Sequence, residues 1–187
     1  MAEQPPAQEI TDVAALRALA HPMRQKIEKC LRKGPANSTA LAHELGESTG
    51  LVSYHLRQMA KHGFVEEVPE LAKGRERWWR AVPGDRRFPP HSRQTPEMRE
   101  ALTEMYRISL AELVESVQRF GEARDDLGPW ADAAIFSRST LRLTPEQLRE
   151  FLEEYIALIH RFSRPEEDAA PDARAVLVRL LGIPEVD

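Results

Sequence analysis

Few side chains in this 187-residue sequence could bind a metal ion or act as a nucleophile: one cysteine, Cys30, and three neighbouring histidines, His43, His55 and His62. A tetrahedral metal site needs four ligands, and thiolate sites need several cysteines. We therefore expect no metal and no other cofactor. Cys30 lies in an apolar stripe, which favours a packed core thiol over a redox sensor. Phosphate-binding glycine loops, nucleophile–base pairs and paired catalytic carboxylates are lacking, so the sequence indicates a protein that is not an enzyme.

Positive charge is concentrated in the N-terminal half. Residues 1–90 contain 14 Lys and Arg against 11 Asp and Glu, whereas residues 91–187 contain 12 against 19. A basic half beside an acidic half is typical of a protein in which one domain contacts a polyanion, although a chance distribution of surface charges explains it equally well. No apolar run reaches the length of a membrane span, and the N-terminus lacks the layout of a secretory signal. We expect a cytoplasmic protein that does not contact a membrane.

Four short helical patterns lie between Ile10 and Gly63. The third is expected to begin at Asn37 or Ser38 and to end at Gly46, and the fourth to begin after Ser48. Only a few residues separate these two helices, and their apolar residues are spaced to interlock: Leu41, Leu45, Val52 and Leu56. Two helices joined in this way are typical of a helix-turn-helix.

Strand-forming residues follow at 64–68 and 76–82, with a turn at Lys73-Gly74 between them. A hairpin directly after a helix-turn-helix predicts a winged helix. We therefore divide the chain into a flexible N-terminus (1–9), a winged-helix domain (10–83), a linker (84–94) and a dimerisation domain (95–187). The last of these is also the candidate domain for binding a small-molecule effector.

The acidic half is predicted to begin with a long helix, from Pro96 to about Arg119, whose apolar stripe is too long for one small domain to cover. A strand at 134–143, a helix opened by the Thr144–Gln147 capping box and a strand at 175–181 are expected to follow. The predicted fold is mainly α with small β (α+β): an N-terminal winged helix-turn-helix, a long dimerisation helix and a C-terminal strand-helix-strand unit. The residues expected at the homodimer interface are Leu102, Met105, Leu113, Val117 and Phe120.

The candidate DNA-binding face lies opposite the apolar side of the fourth helix. Residues early in a reading helix approach base edges in the major groove, whereas basic residues further along, and donors at the preceding helix's N-terminus, suit phosphates. A basic wing tip can reach the DNA backbone or minor groove. The residues assigned to this face are Ser38, Thr39, Thr49, Gly50, Ser53, Tyr54, Arg57, Lys61, Lys73 and Arg75. For each of them the alternative is an ordinary solvated surface residue.

The stretches HPMRQKIEKCL, LAHELGESTGLVSYHLRQMAKHGFVEE and KGRERWWRAV together resemble the winged-helix regulators of the ArsR type. The resemblance rests on His21-Pro22 with Arg24, on Val52-Ser53-Tyr54-His55-Leu56 and on Gly63-Phe64-Val65. It implies a dimeric, DNA-binding transcription regulator. The thiolate sites of that family need cysteine pairs on the third helix, where this sequence reads STALAHELGE. The part beyond residue 90 resembles an extension found in a branch of the family.

The leading hypothesis is a dimeric regulator that reads an inverted repeat in double-stranded DNA with its fourth helix and basic wing. The alternative is a winged-helix interaction module that has lost DNA binding. An acidic face would favour this alternative, but Arg57, Lys61, Lys73 and Arg75 make the face basic.

Overall fold

The computed structural model describes residues 8–74, 76–163 and 168–186. Its strands are β1 (Gln8–Glu9), β2 (Ala36–Asn37), β3 (Val65–Glu67), β4 (Trp78–Ala81) and β5 (Arg86–Arg87). Its α-helices are α1 (Val13–Leu19), α2 (Pro22–Leu31), α3 (Ser38–Leu45), α4 (Thr49–Lys61), α5 (Pro96–Ala123), α6 (Pro129–Ala133) and α7 (Pro145–Phe162). The prediction of a mainly helical fold with small sheets and a helix-turn-helix is confirmed.

The helix-turn-helix is formed by α3 and α4, and local side-chain chemistry fixes both of its helices. Asn37 caps α3 by accepting a hydrogen bond from the Ala40 N–H at 2.8 Å, and Ser48 caps α4 by accepting one from the Leu51 N–H at 3.3 Å. Gly46 ends α3 in the left-handed conformation, with φ of +68°, which glycine adopts without steric cost. The turn between the helices is therefore short and defined.

The wing is an antiparallel hairpin of β3 and β4, as the strand-forming residues predict. Val65 pairs with Ala81, and Glu67 pairs with Trp79. Both strands are shorter than expected, because a 3₁₀ turn at Pro69–Leu71 begins soon after β3. No pattern in the sequence predicts β2, which pairs with β4 through Ala36 and Trp79 and joins the start of α3 to the wing.

One hydrophobic core holds this part of the chain together. Its fully buried side chains come from each helix of the winged helix and from the sheet. Three of the first residues of α5, Met98, Ala101 and Leu102, complete the same core and are at most 5% exposed. The chain accordingly divides into two compact units after Leu127, so α5 groups with the winged helix rather than with the acidic C-terminal part.

The segment expected to be a linker, 84–94, is part of the ordered fold. Within it β5 pairs in parallel with β1, residues assigned to a flexible N-terminus. The Arg86 guanidinium lies 2.8 Å from the Glu28 carboxylate of α2 and 4.8 Å from the centre of the Phe64 ring. Glu28 also pairs with Arg32 at 3.0 Å. The two arginines provide the partners that a buried carboxylate requires.

The second unit begins at Gly128 and contains α6 and α7. The Thr144 capping box is confirmed, because its hydroxyl accepts from the Gln147 N–H and the Gln147 side chain accepts from the Thr144 N–H. The strands expected at 134–143 and 175–181 do not form within the single chain, since both segments, which are fully described, form neither helix nor paired strand. Strand-forming residues make a strand only when a second backbone pairs with them.

Candidate nucleic-acid interface

A shallow groove of about 480 Å³ runs between the N-termini of α3 and α4 and the base of the wing. Hydroxyl groups and two guanidinium groups dominate its polar lining, and Trp79 forms its apolar floor. Its lining residues are Asn37, Ser38, Thr39, Thr49, Ser53, Arg57, Glu76, Arg77 and Trp79. The structure thus brings together five of the residues assigned to the DNA-binding face: Ser38, Thr39, Thr49, Ser53 and Arg57.

The exposed side of α4 is the side that the apolar pattern predicts. Val52 and Leu56 are fully buried and Met59 is 1% exposed, so the opposite side of the helix faces solvent. Tyr54 is 48% exposed and lies on that side, together with Thr49, Gly50, Arg57 and Lys61. A side chain at Gly50 would meet no atom within 4 Å. The surface around Gly50 is therefore open to an approaching backbone.

The positive charges of α4 and the wing differ in whether they already form an ion pair. Arg77 pairs with Glu67 at 2.9 Å, and Arg80 pairs with Glu66 at 2.7 Å. In the part of the chain that the structure describes, Arg57, Lys61 and Lys73 form no ion pair. These three cations are available to phosphates without first breaking an internal contact.

The wing tip turns at Gly74, which has a φ of +66°, and a side chain at this position would meet no atom within 4 Å. Lys73 precedes it and is exposed. Arg75, the other predicted wing contact, lies outside the described residues.

Four groove residues were not predicted from the sequence: Asn37, Glu76, Arg77 and Trp79. The Asn37 side chain donates a hydrogen bond to the Glu76 carboxylate at 3.3 Å, which joins the cap of α3 to the wing. A signal for Arg77 was present, because alternate residues of a strand share a face and Arg77 lies two residues before the buried Trp79. Asn37 and Glu76 meet only through the β2–β4 pairing, which no local pattern in the sequence indicates.

Beneath α4 lies a pair of imidazoles. His55 is 5% exposed, its Nδ1 has no hydrogen-bond partner, and its ring centre lies 4.6 Å from that of His21. Burial lowers the pKa of His55, and the nearby His21 and Arg24 lower it further. Burial and the Arg24 charge also lower the pKa of His21. His21 caps α2 by accepting a hydrogen bond from the Met23 N–H at its Nδ1, over 3.2 Å, which requires an unprotonated nitrogen.

Cys30 is a packed thiol, as its apolar surroundings predict. Burial raises its pKa to about 11, with a further contribution from the neighbouring Glu44 carboxylate. Because the thiolate is the reactive species, this thiol is inert near neutral pH. Within the described residues, no group of three or more His, Cys, Asp or Glu side chains is arranged to hold a metal ion.

The residues assigned to a dimer interface on α5 fall into two sets. Leu102 is 3% exposed in the core of its own chain, and Met105 packs against that core, so the assignment of Leu102 to an interface is corrected. The apolar residues of α5 begin on the face that packs against α1. Over the 28 residues of the helix, a repeat of this kind moves around the helix surface and does not stay on that face. Val117 is 44% exposed, and Leu113 and Phe120 are partly exposed. Other exposed apolar residues on this part of α5 are Tyr106, Leu110 and Val114.

The second unit has a shallow groove of about 490 Å³ along α7, lined by Phe151, Glu154, Tyr155, Ala157, Leu158 and Arg161. Phe136 and Phe162, two other aromatic residues of this unit, are 73% and 74% exposed and do not line the groove. No helix in the described residues is long and apolar enough to cross a membrane.

Comparison with known proteins agrees with the α3–α4 geometry. The sequence model of a family described as a helix-turn-helix domain matches residues 19–68. A comparison with curated proteins finds no match. Among solved structures, RV1404 from Mycobacterium tuberculosis is similar at 11% identity over 81% of this chain and 84% of that chain, with a TM-score of 0.31.

The match and the geometry identify a helix-turn-helix domain, the type of domain through which regulators contact DNA. The matched residues run from the end of α1 to the end of β3, so they include both helices of the reading pair. Domains of this kind are generally found in regulators rather than in enzymes.

Proposed function

We propose that this protein is a homodimeric transcription regulator of the ArsR type that binds a specific double-stranded DNA sequence. The observation that carries the proposal is the groove in which Ser38, Thr39, Thr49, Ser53 and Arg57 meet. It joins the start of one helix, the exposed side of the next and the base of a wing, which is the arrangement of a winged-helix reading surface.

Within this surface, α4 enters the major groove with its N-terminal end. Thr49, Ser53 and Tyr54 are short or planar polar side chains on the exposed side, and they contact base edges. Gly50 lets the backbone approach. Arg57 and Lys61, one and two turns further on, contact phosphates, and the donors of Ser38 and Thr39 at the start of α3 contact another.

The wing adds contacts to the DNA backbone. Lys73 is exposed and unpaired in the described residues, and Arg75 follows Gly74 in the sequence. Such contacts carry no sequence information but raise the affinity for any DNA, and salt weakens them. Arg77 is already paired with Glu67, so it contributes less to the attraction between the wing and the DNA backbone.

The dimer is formed by the exposed part of α5, with Leu113, Val117 and Phe120 on the same face of both copies. A two-fold axis there places the two α4 helices about one DNA turn apart, ~34 Å, which predicts an inverted-repeat site. The packing of α5 against α1 and the 3.0 Å ion pair between Lys29 of α2 and Glu112 of α5 couple the dimer axis to the reading surface.

The experiment that tests this proposal is selection of binding sites from random double-stranded DNA by the purified full chain. We expect one inverted-repeat sequence to be enriched. Enrichment of no sequence above the starting pool contradicts the proposal. Repeating the selection with candidate metabolites tests for an effector in the acidic half.

A further inference from the structure

The second unit, from Gly128 onward, has an incomplete core. None of its described residues is buried, although sixteen of its large apolar side chains are exposed. If each exposes on the order of 100 Å², the total is about 1,600 Å², well above the few hundred Å² of a typical monomer's largest apolar patch. About 1,000–2,500 Å² is what each chain of an obligate dimer buries. The unit therefore exposes the surface of one half of an interface.

The segment 174–183 contributes most to this surface. It forms neither helix, turn nor paired strand, and its apolar residues fall on both alternating faces. Val176 and Val178 on one face are 64% and 53% exposed, and Leu181 and Ile183 on the other are 67% and 70% exposed. A strand that is apolar on both faces is typical of the interior of a sheet, where two layers cover it and two neighbours pair with it.

Within its own unit, this segment is covered only in part. A Cβ at Gly182 would lie 3.2 Å from Cδ1 of Leu148, so the segment approaches the first turn of α7. One amphipathic helix covers one face of a strand, and it supplies no backbone partner for the strand's edge. The described residues provide no paired backbone for the edge, and the second face is exposed, so both are open to a second chain.

The net charge of the second unit indicates what kind of chain could pair with this segment. Residues 128–187 carry seven Arg and eleven Asp and Glu, with no Lys, so the unit repels anionic lipid headgroups and nucleic acids. The two charges of the segment itself, Arg174 and Arg179, permit self-pairing. When two copies pair antiparallel about Val178, Arg174 lies opposite Gly182 and Arg179 lies opposite Leu177, so no two arginines face each other.

We infer that segment 174–183 pairs antiparallel with the same segment of a second copy, near Val178, and that this pairing completes the core of the second unit between two chains. The inference rests on the homodimer of the proposed function and adds a second contact to it, separate from that of α5. Each chain then contributes the same edge and the same apolar face, as a two-fold interface requires.

A single-cysteine scan of the full chain tests the pairing. Cys30→Ala removes the only native cysteine, and new cysteines are then introduced one at a time from position 176 to position 180, with Ala170→Cys as the matched exposed control in the same unit. Residues facing each other across antiparallel strands lie within disulfide distance. We expect Val178→Cys to give a disulfide-linked dimer under mild oxidation at several times the yield of Ala170→Cys. A scan in which no position exceeds the control overturns the inference.

One further variant and the DNA selection separate this inference from the proposed function. Val178→Asp buries a charge at the proposed pairing site, and we expect it to weaken dimerisation at least tenfold in sedimentation. Cross-linking at Val178 in a protein that selects no DNA would support the pairing and contradict the DNA-binding proposal. Specific DNA selection by a dimer that forms no cross-links in the scan would support the DNA-binding proposal and contradict the pairing.

Discussion

The imidazole rings of His21 and His55 are tilted by 48° with their centres 4.6 Å apart, and this contact joins the N-cap of α2 to the buried side of α4. Burial and the charge of Arg24 lower the pKa of both rings. The contact that supports the reading helix therefore joins two imidazoles whose protonation opposes folding.

The first prediction concerns pH. Because the pKa values of His21 and His55 are lowered from 6.5 in the folded chain, the unfolded chain binds more protons at mildly acidic pH. The free energy of unfolding should be at its full value above the unfolded pKa and should fall as the pH drops below it. Denaturant unfolding between pH 8 and pH 5 measures this dependence.

The His55→Gln variant should show a weaker pH dependence than the original chain, whatever its absolute stability. His43→Gln, which changes an exposed histidine of α3, is the matched control and should retain the original slope. If the free energy of unfolding changes equally with pH in all three proteins, the imidazole pair is not the source of the pH dependence.

The second prediction concerns the buried carboxylate of Glu28. Glu28→Ala leaves Arg86, whose side chain is 17% exposed, without its partner at 2.8 Å. We expect a loss of about 2 kcal/mol in the free energy of unfolding, because a largely buried charge loses its hydrogen bond. Glu67→Ala breaks an ion pair of similar length, 2.9 Å, whose side chains are 43% and 64% exposed, and it should cost less than about 1 kcal/mol. If the two variants lose similar free energies of unfolding, burial of the Glu28–Arg86 pair does not add to stability.

Much of the winged helix could be predicted from the sequence, because its signals are local. Ser48 and Thr144 each cap the helix they were expected to cap, and the Val52–Leu56–Met59 stripe is buried. What the sequence did not show depends on partners distant in the chain. β2 exists only because β4 pairs with it, and Leu102 is buried only because α1 packs on α5. The segments 134–143 and 175–181 have the residues of strands, but the described chain gives them no partner.

The same distinction applies to the candidate interface. The helical spacing of the apolar residues in α4 was sufficient to place Thr49, Ser53 and Arg57 on one face. The Asn37–Glu76 contact required the register of a strand pair that no local pattern specifies.

The third prediction concerns the dimer. Leu113→Glu with Val117→Glu places two charges in the proposed α5 contact. Because this removes one of the two proposed contacts, we expect a mixture of dimer and 21.3 kDa monomer in sedimentation at micromolar concentration. Gln118→Glu adds a charge to an exposed polar position of the same helix and should leave the dimer intact. A double variant that remains fully dimeric would exclude α5 as the main contact.

The fourth prediction concerns the wing. Replacing Lys73 and Arg75 with Ala should lower the affinity for many DNA sequences alike and reduce the salt dependence of binding by about one unit of slope for each lost phosphate contact. Glu70→Ala, in the 3₁₀ turn of the same loop, is a control that removes a negative charge and should not reduce the slope. An unchanged slope in the Lys73/Arg75 variant would mean that the wing does not touch DNA.

The most direct test of the central claim compares binding-site selection by the full chain with selection by three α4 variants: Arg57→Ala, Ser53→Ala and Tyr54→Ala. We expect the full chain to enrich one inverted repeat and Arg57→Ala to bind the same sequence about tenfold or more weakly. We also expect Ser53→Ala or Tyr54→Ala to change which bases are enriched. Unchanged affinity and unchanged base preference in all three variants would contradict the assignment of α4 as the reading helix.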